Sequence, residues 1–190
     1  MELSDEALCR RVAEQDERAF EELVERHQRR AYRVAWSVLG DADEAKDVSQ
    51  EAFLRLYERA AKFDGRSKFS TWFHRIVVNL SLDRRRQRRG WLRRFFPGEE
   101  DDRAIDPVDP RSVAVDDPAA EVGRRQTMSR IWEATRRLSP QQRAALVLQV
   151  QEDLSAAEIA DVLECSEATV RVHLHRAVTA LREIMTKEGT

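Results

Sequence analysis

The chain has 190 residues, 42% hydrophobic and 36% charged, with 33 Lys and Arg against 35 Asp and Glu. That is apolar material for one large domain or two small ones under a charge-rich surface. Only Cys9 and Cys165 are present, far apart, which argues against a disulfide scaffold or a zinc site.

The acidic start "MELSDEALCRR" lacks an apolar signal segment and no run reaches membrane-spanning length. The expectation is a cytoplasmic protein without membrane insertion of its own, and without a cofactor. The net charge of −2 hides strong segregation. Residues 1–61 carry a net −5, residues 62–94 a net +9 and residues 97–121 a net −7. Separation on this scale points to partners of opposite sign.

Apolar residues recur at helical spacing in Phe20, Leu23, Val24, Tyr32, Ala35 and Trp36, and again in Val48, Ala52 and Leu56. "LGDADEA" at 39–45 stops one helix at Gly40 and opens the next with acidic residues. "KFDGRSKFST" at 62–71 is a break, after which Ser70 or Thr71 is expected to cap a helix beginning near Trp72. No strand-like alternation persists, so the predicted class is all-α, two small helical domains joined by an acidic, proline-containing linker.

The helix after that break puts Trp72, Phe73, Ile76, Val77 and Leu80 on one wide apolar face and runs into seven arginines between Arg84 and Arg94. Arg75, Asn79 and Asp83 lie on or beside the margin of that face. Rings beside a basic track are the ingredients of single-strand nucleic-acid binding, with bases stacked on the rings and arginines along the backbone. On base rates Trp72 and Phe73 each pack into a core more often than they stack on a base.

Residues 97–121 hold four of the five prolines and no aromatic, too little apolar surface to offset the entropy of ordering. The expected boundaries are a first unit at 1–95, a linker at 96–123 and a second unit at 124–190. In the second unit, Ser139 precedes Pro140 as a capping pair, and Ser155 with Glu158 forms a capping box that starts a helix at Ala156. After the turn "ECS", Ser166 caps another helix with Val170, Leu174, Ala177, Val178 and Leu181 on its apolar side. Two short helices with Ala160 at their crossing make a helix-turn-helix. Thr169, Arg171, Val172, His175 and Arg176 occupy the part of the second helix suited to a major groove. His173 and His175, two apart, point to different sides of a helix, so no metal site is expected.

These residues alone leave open a DNA-binding regulator with an N-terminal sensor or dimerisation domain, and an RNA-binding protein. An enzyme is disfavoured: there is no Gly-rich phosphate loop, H-E-x-x-H, or Cys/His or Ser/His arrangement. The stretches "LGDADEAKDVSQEAFLRL" and "FSTWFHRIVVNLSLDRRR", followed after the linker by "LSPQQRAALVLQVQEDLSAAEIADVLECSEATVRVHLHRAVTALR", resemble the extracytoplasmic-function (ECF) sigma factors. These are small bacterial initiation factors built from regions 2 and 4.

The resemblance implies a non-enzymatic factor that binds core RNA polymerase and promoter DNA and, as in most relatives, is held inactive by an anti-sigma factor. It implies that Asp47, Gln50, Glu51 and Phe53 dock on the clamp helices of the largest polymerase subunit. It implies that the break at 64–69 captures a flipped base of the −10 element, and that Lys68, Phe69, Ser70, Trp72, Arg75, Asn79, Asp83 and Arg84 recognise and melt that element. Thr169, Arg171, Val172, His175 and Arg176 would read the −35 element, and the linker would thread toward the polymerase active centre. Two departures stand out: Glu164 occupies a turn position where relatives usually have Gly, and Val172 stands where small polar residues are common.

Overall fold

Three short polar side chains set the starts of the first three helices in the computed structural model, which describes residues 3–95 and 138–187. Ser4 accepts from the Ala7 amide and opens α1 (Asp5–Ala13). Asp16 accepts from Ala19 and opens α2 (Glu17–Leu39), and Asp41 accepts from Glu44 and opens α3 (Ala42–Arg59). Each satisfies an amide that has no partner inside its helix. Gly40, in the left-handed region at φ 68°, ends α2 as the sequence suggests.

A 3-10 turn at Ala60–Lys62 and a break containing Gly65, at φ 72°, lead into α4 (Phe69–Phe95). The helix starts earlier than expected. The Trp72 amide donates to the Lys68 carbonyl, so Ser70 and Thr71 lie inside the first turn and neither caps it. The reason is non-local: Glu6, on α1, accepts from the Phe69 amide at 3.2 Å and supplies the cap from another element.

The core of the first unit is aromatic. Phe69 and Phe73 stack with centroids 5.8 Å apart, Phe53 lies 4.9 Å from Phe73, and His27 meets Phe69 edge-on at 5.1 Å. Leu8, Leu23, Val34, Val48, Leu56 and Val77 enclose them, all fully buried. Each such side chain contributes about 1.5–3 kcal/mol on leaving water. The Cys9 thiol lies in this core, and burial pushes it up to about 11.

In the second unit α5 (Pro140–Val150) begins with Pro140 behind a capping box of Ser139 and Gln142. α6 (Ala156–Leu163) begins with the expected box of Ser155 and Glu158. α7 (Glu167–Lys187) is opened by Ser166, which accepts from the Thr169 amide. Ile159, Val162, Val170 and Ala177 are buried between them, whereas Val178 stays 37% exposed and is not part of the packed face. Glu164 adopts φ 53°, ψ 46°, so the turn uses a left-handed residue without the usual glycine. Seven α-helices and no strand occur among the described residues. The linker at 96–123 and the following residues to 137 lie outside them.

The two units do not sit apart. α5 packs against α2 and α6 against α4, and the buried side chains of both units join one continuous cluster. Arg143 fastens the seam: it is 4% exposed and donates to the carbonyls of Ser37 (2.7 Å), Leu138 (2.9 Å) and Val38 (3.3 Å).

Candidate nucleic-acid interface

Helix α3 turns one face into the core through Val48, Ala52 and Leu56 and leaves the opposite face to solvent. Asp47, Gln50, Leu54 and Tyr57 share that outer face by helical spacing, and Leu54 is 63% exposed. Glu51 is half-buried beside it and meets Arg84 at 3.5 Å. Phe53 points the other way: it is 7% exposed and packs on Phe73, so it holds α3 in place and offers no outer surface. The sequence reading missed Leu54 and Tyr57. Their exposure puts two apolar side chains on an otherwise polar face.

Between α3, α4 and α6 runs a groove of about 470 Å³ lined by Arg55, Arg59, Lys62, Trp72, Arg75, Ile76, Asn79, Leu80, Asp83 and Glu164. Four of these are cations from α3, the 3-10 turn and α4. Trp72 is half-buried with its ring 5.3 Å from Phe63, which leaves an edge toward the groove. The arrangement therefore joins a stacking ring to a basic track, the pairing that single strands require. Arg55, Arg59 and Lys62 were not legible as members, because α3 and the 3-10 turn bring them in from a different segment.

The other candidates for strand recognition divide by burial. Phe69 has no exposed surface and serves the aromatic core. Ser70 is half-buried in the first turn of α4, and Lys68 is exposed at its start. Asp83 pairs with Arg86, one turn on, at the exposed end of the groove. Farther along α4, Arg88 is drawn to Glu44 at 2.9 Å, so part of the arginine block braces α3.

Lys68, just before α4, and two of the groove residues are engaged from the second unit. Lys68 Nζ lies 2.9 Å from Glu158 Oε1, Arg75 Nε donates to the Asp161 carbonyl at 2.9 Å, and Asn79 Nδ2 donates to Glu164 Oε1 at 3.1 Å. The Ser155 backbone amide, then Lys68 and the Ser155 hydroxyl, hold the Glu158 carboxyl down to about 2. Deeper in the same seam Glu152, 1% exposed, meets Arg33 at 3.0 Å, Arg30 at 3.6 Å and the His74 ring at 3.7 Å. Burial, with His27, Arg30 and Arg33 nearby, pushes the His74 imidazole down to about 3, so it faces Glu152 as a neutral ring. Glu152 Oε2 and both His74 nitrogens are buried without a hydrogen bond.

On α7 the outward face is Val172 (47% exposed), His175 and Arg176, with Arg171 beside them in an exposed pair with Glu167 at 2.8 Å. Thr169 is half-buried and its hydroxyl is 2.9 Å from Ser166 Oγ, a capping position at the helix entrance. The helix-turn-helix thus presents α7 to solvent while α6 lies against α4. No cluster of metal-ligating side chains occurs among the described residues, and no described helix is long and apolar enough to cross a membrane.

The family model for Sigma-70 region 2 matches residues 23–90, and that for Sigma-70 region 4 matches residues 128–181. The ECF RNA polymerase sigma factor SigW of Bacillus subtilis (strain 168) is 30% identical over 185 residues, covering 96% of this chain and 97% of that protein. The RNA polymerase sigma-H factor of Pseudomonas aeruginosa is 32% identical, covering 93% and 91%. The fold is shared with the sigma factor RpoE of Bartonella quintana, solved with the anti-sigma factor NepR, at TM-score 0.69 and 20% identity over 88% of this chain and 96% of that one. It is also shared with CnrH, solved with the cytosolic domain of CnrY, at TM-score 0.64 and 24% identity over 96% and 97%. A helical unit with a basic, ring-edged groove, a second unit presenting a recognition helix, and relatives matched from end to end leave one assignment: the chain belongs to the ECF RNA polymerase sigma factors and is a promoter-recognising transcription initiation factor.

Proposed function

We propose that the first unit, residues 1–95, docks on core RNA polymerase through the outer face of α3 and holds the opened −10 strand in the groove between α3 and α4. The observation that carries this reading is the groove itself, where Trp72 and Asn79 sit within one cavity with Arg55, Arg59, Lys62 and Arg75. Bases stack on Trp72 while the cations follow the backbone, and Asn79 offers an amide for reading a base edge. Extruding a base costs a few kcal/mol. A groove that gains contacts only after extrusion draws the promoter toward its melted form.

The second unit, residues 124–190, grips the −35 duplex through Arg171, Val172, His175 and Arg176 on α7. Thr169 orders the helix entrance, and Val172 offers an apolar contact to a thymine methyl. The acidic linker, residues 96–123, runs toward the polymerase active centre. Sigma factors are non-enzymatic transcription factors, and the chain works in the cytoplasm with its polymerase and without catalysis of its own. An anti-sigma factor is its expected inhibitor, as NepR and CnrY are co-crystallised with the fold relatives.

The test is transcription from sheared genomic DNA of the source bacterium by core polymerase with this protein, followed by mapping of transcript starts. Discrete starts are expected. Asn79→Ala should abolish them, and Arg176→Ala should weaken them, each without loss of polymerase binding. Equal loss of start sites and of polymerase binding in either variant would refute its assigned role.

A further inference from the structure

We propose that Glu6, on α1, is a positioning residue for strand capture: its carboxylate sets where α4 begins and so fixes the mouth of the groove. This rests on the reading of that groove as the −10 strand site. The sequence offers α4 two starts. Ser70 or Thr71 could cap a helix beginning near Trp72, yet α4 begins at Phe69, where Glu6 accepts the backbone amide at 3.2 Å from 63 residues away. The choice leaves a mark on Thr71, which is 1% exposed and whose hydroxyl is buried without a hydrogen bond. A hydroxyl that a local cap would use is thus held unpaired inside the first turn. The bond from Glu6 satisfies an amide of that turn and offsets the loss.

Glu6 is aimed by the packing of α1. The neighbouring Asp5 fastens that helix to α2, accepting from Arg26 at 2.8 Å and meeting His27 Nε2 at 2.7 Å. Leu8, Cys9 and Val12 are buried behind it. The Glu6 amide itself, then the Phe69 amide and the Ser4 hydroxyl, hold the Glu6 carboxyl below the usual carboxylate range. It therefore stands as a full charge at the positive end of α4. What depends on this start is the edge of the groove. The Phe63 amide closes the 3-10 turn on the Ala60 carbonyl, and the Phe63 ring lies 6.1 Å from Phe69 and 5.3 Å from Trp72. The break between Phe63 and Phe69 is tied at both ends, with the groove members Lys62 and Trp72 flanking it. A cap moved from Lys68 to Ser70 or Thr71 lengthens the break and loosens the turn that aims Trp72. An extruded base then meets an edge that must be ordered during capture, at a cost the Glu6 bond removes beforehand.

The experiment separates reach from charge, using holoenzyme assembled from core polymerase and the full chain. Glu6→Asp keeps the charge but falls a methylene short of the Phe69 amide, whereas Glu6→Gln keeps the reach and an acceptor oxygen. Templates carry a start mapped from genomic DNA, one fully paired and one with its −10 strands mismatched and so already open. Circular dichroism and gel filtration with core polymerase check folding and assembly. Glu6→Asp should lose about tenfold in transcription from the paired template, and Glu6→Gln should stay within about twofold of the wild type. The loss in Glu6→Asp should shrink on the open template, and amide hydrogen exchange at Phe69 should quicken in Glu6→Asp alone. Asn79→Ala, measured alongside, tests the groove: wild-type output from it would overturn the strand site itself. With Asn79→Ala impaired, full output from Glu6→Asp would overturn the positioning role. Equal losses in Glu6→Asp and Glu6→Gln, equal losses on both templates, or lost polymerase binding would overturn it as well, leaving Glu6 a general structural part.

Discussion

Replacing Arg143 by methionine keeps the length and apolar stem of the side chain and removes the charge that ties the second unit to the end of α2. That helix has no basic residue in its last turn, so its exposed carbonyls and the negative end of its dipole are served from outside by Arg143. Charge-assisted bonds contribute about 1.5–3 kcal/mol each. The bonds to Ser37 and Leu138 are short, and the one to Val38, at 3.3 Å, is weaker. Against this stands the cost of burying a guanidinium. Burial, and to a lesser degree Arg85, lowers Arg143 to about 10, a penalty of about 3 kcal/mol. The intact residue therefore nets only a modest gain, but its loss takes a donor from the Ser37 and Leu138 carbonyls in a closed seam and leaves Val38 to Arg85 at 3.5 Å.

Arg143→Met should accordingly weaken the packing of α5 on α2 by about 2–3 kcal/mol. Arg143→Lys, which keeps the charge but not the planar fork, should recover less than half of that. The assay is urea unfolding followed by tryptophan fluorescence and by circular dichroism. Coincident transitions in the wild type should separate in Arg143→Met, with the second unit unfolding first. A variant whose transitions stay coincident at the wild-type midpoint would refute the role given to this side chain.

Glu164→Gly removes the left-handed strain at the end of α6, worth about 1–2 kcal/mol, and also the acceptor for Asn79. It should raise the thermal midpoint of the second unit; a lowered midpoint would show that the carboxylate matters more than the backbone. Because the buried His74 has a depressed pKa, about 3 against 6.5 when exposed, it favours the folded form above pH 6.5 and opposes it as pH falls toward 3. Stability should drop by about 1–2 kcal/mol between pH 6.5 and 5 through this residue, and the acid limb should flatten in His74→Phe; an unchanged limb in that variant would contradict the assignment. Asp47→Ala combined with Leu54→Ala removes a charge and an apolar contact from the outer face of α3 without touching the core. Affinity for core polymerase should fall about tenfold or more with an unchanged melting curve, and retained affinity would displace the docking face from α3.

What the sequence made legible was local. The Ser139–Pro140 cap, the Ser155–Glu158 box and the Gly40 stop each act within a few residues, and each appears where the sequence places it. The misreadings share a different cause. Glu6 caps α4 from 63 residues away, so the start at Phe69 left no local sign. Phe69 and Phe53 carry the residue type of a contact surface, but the side of the helix they occupy decided for the core. Val178 shows the converse, an apolar residue at the expected spacing with nothing packed over it. The groove cations of α3 and the grip of α6 on Lys68, Arg75 and Asn79 depend on how whole helices meet. Helical periodicity reports which face of a helix is apolar, and it is silent about which partner covers the polar one.

Binding to core RNA polymerase bears most directly on the account, because a sigma factor requires it and other DNA-binding regulators do not. The purified full chain, mixed with bacterial core enzyme and run on gel filtration, should co-elute with it at one copy per polymerase. Co-elution is expected because the outer face of α3 is exposed. A folded, helical protein that elutes alone at every concentration tried would contradict the account.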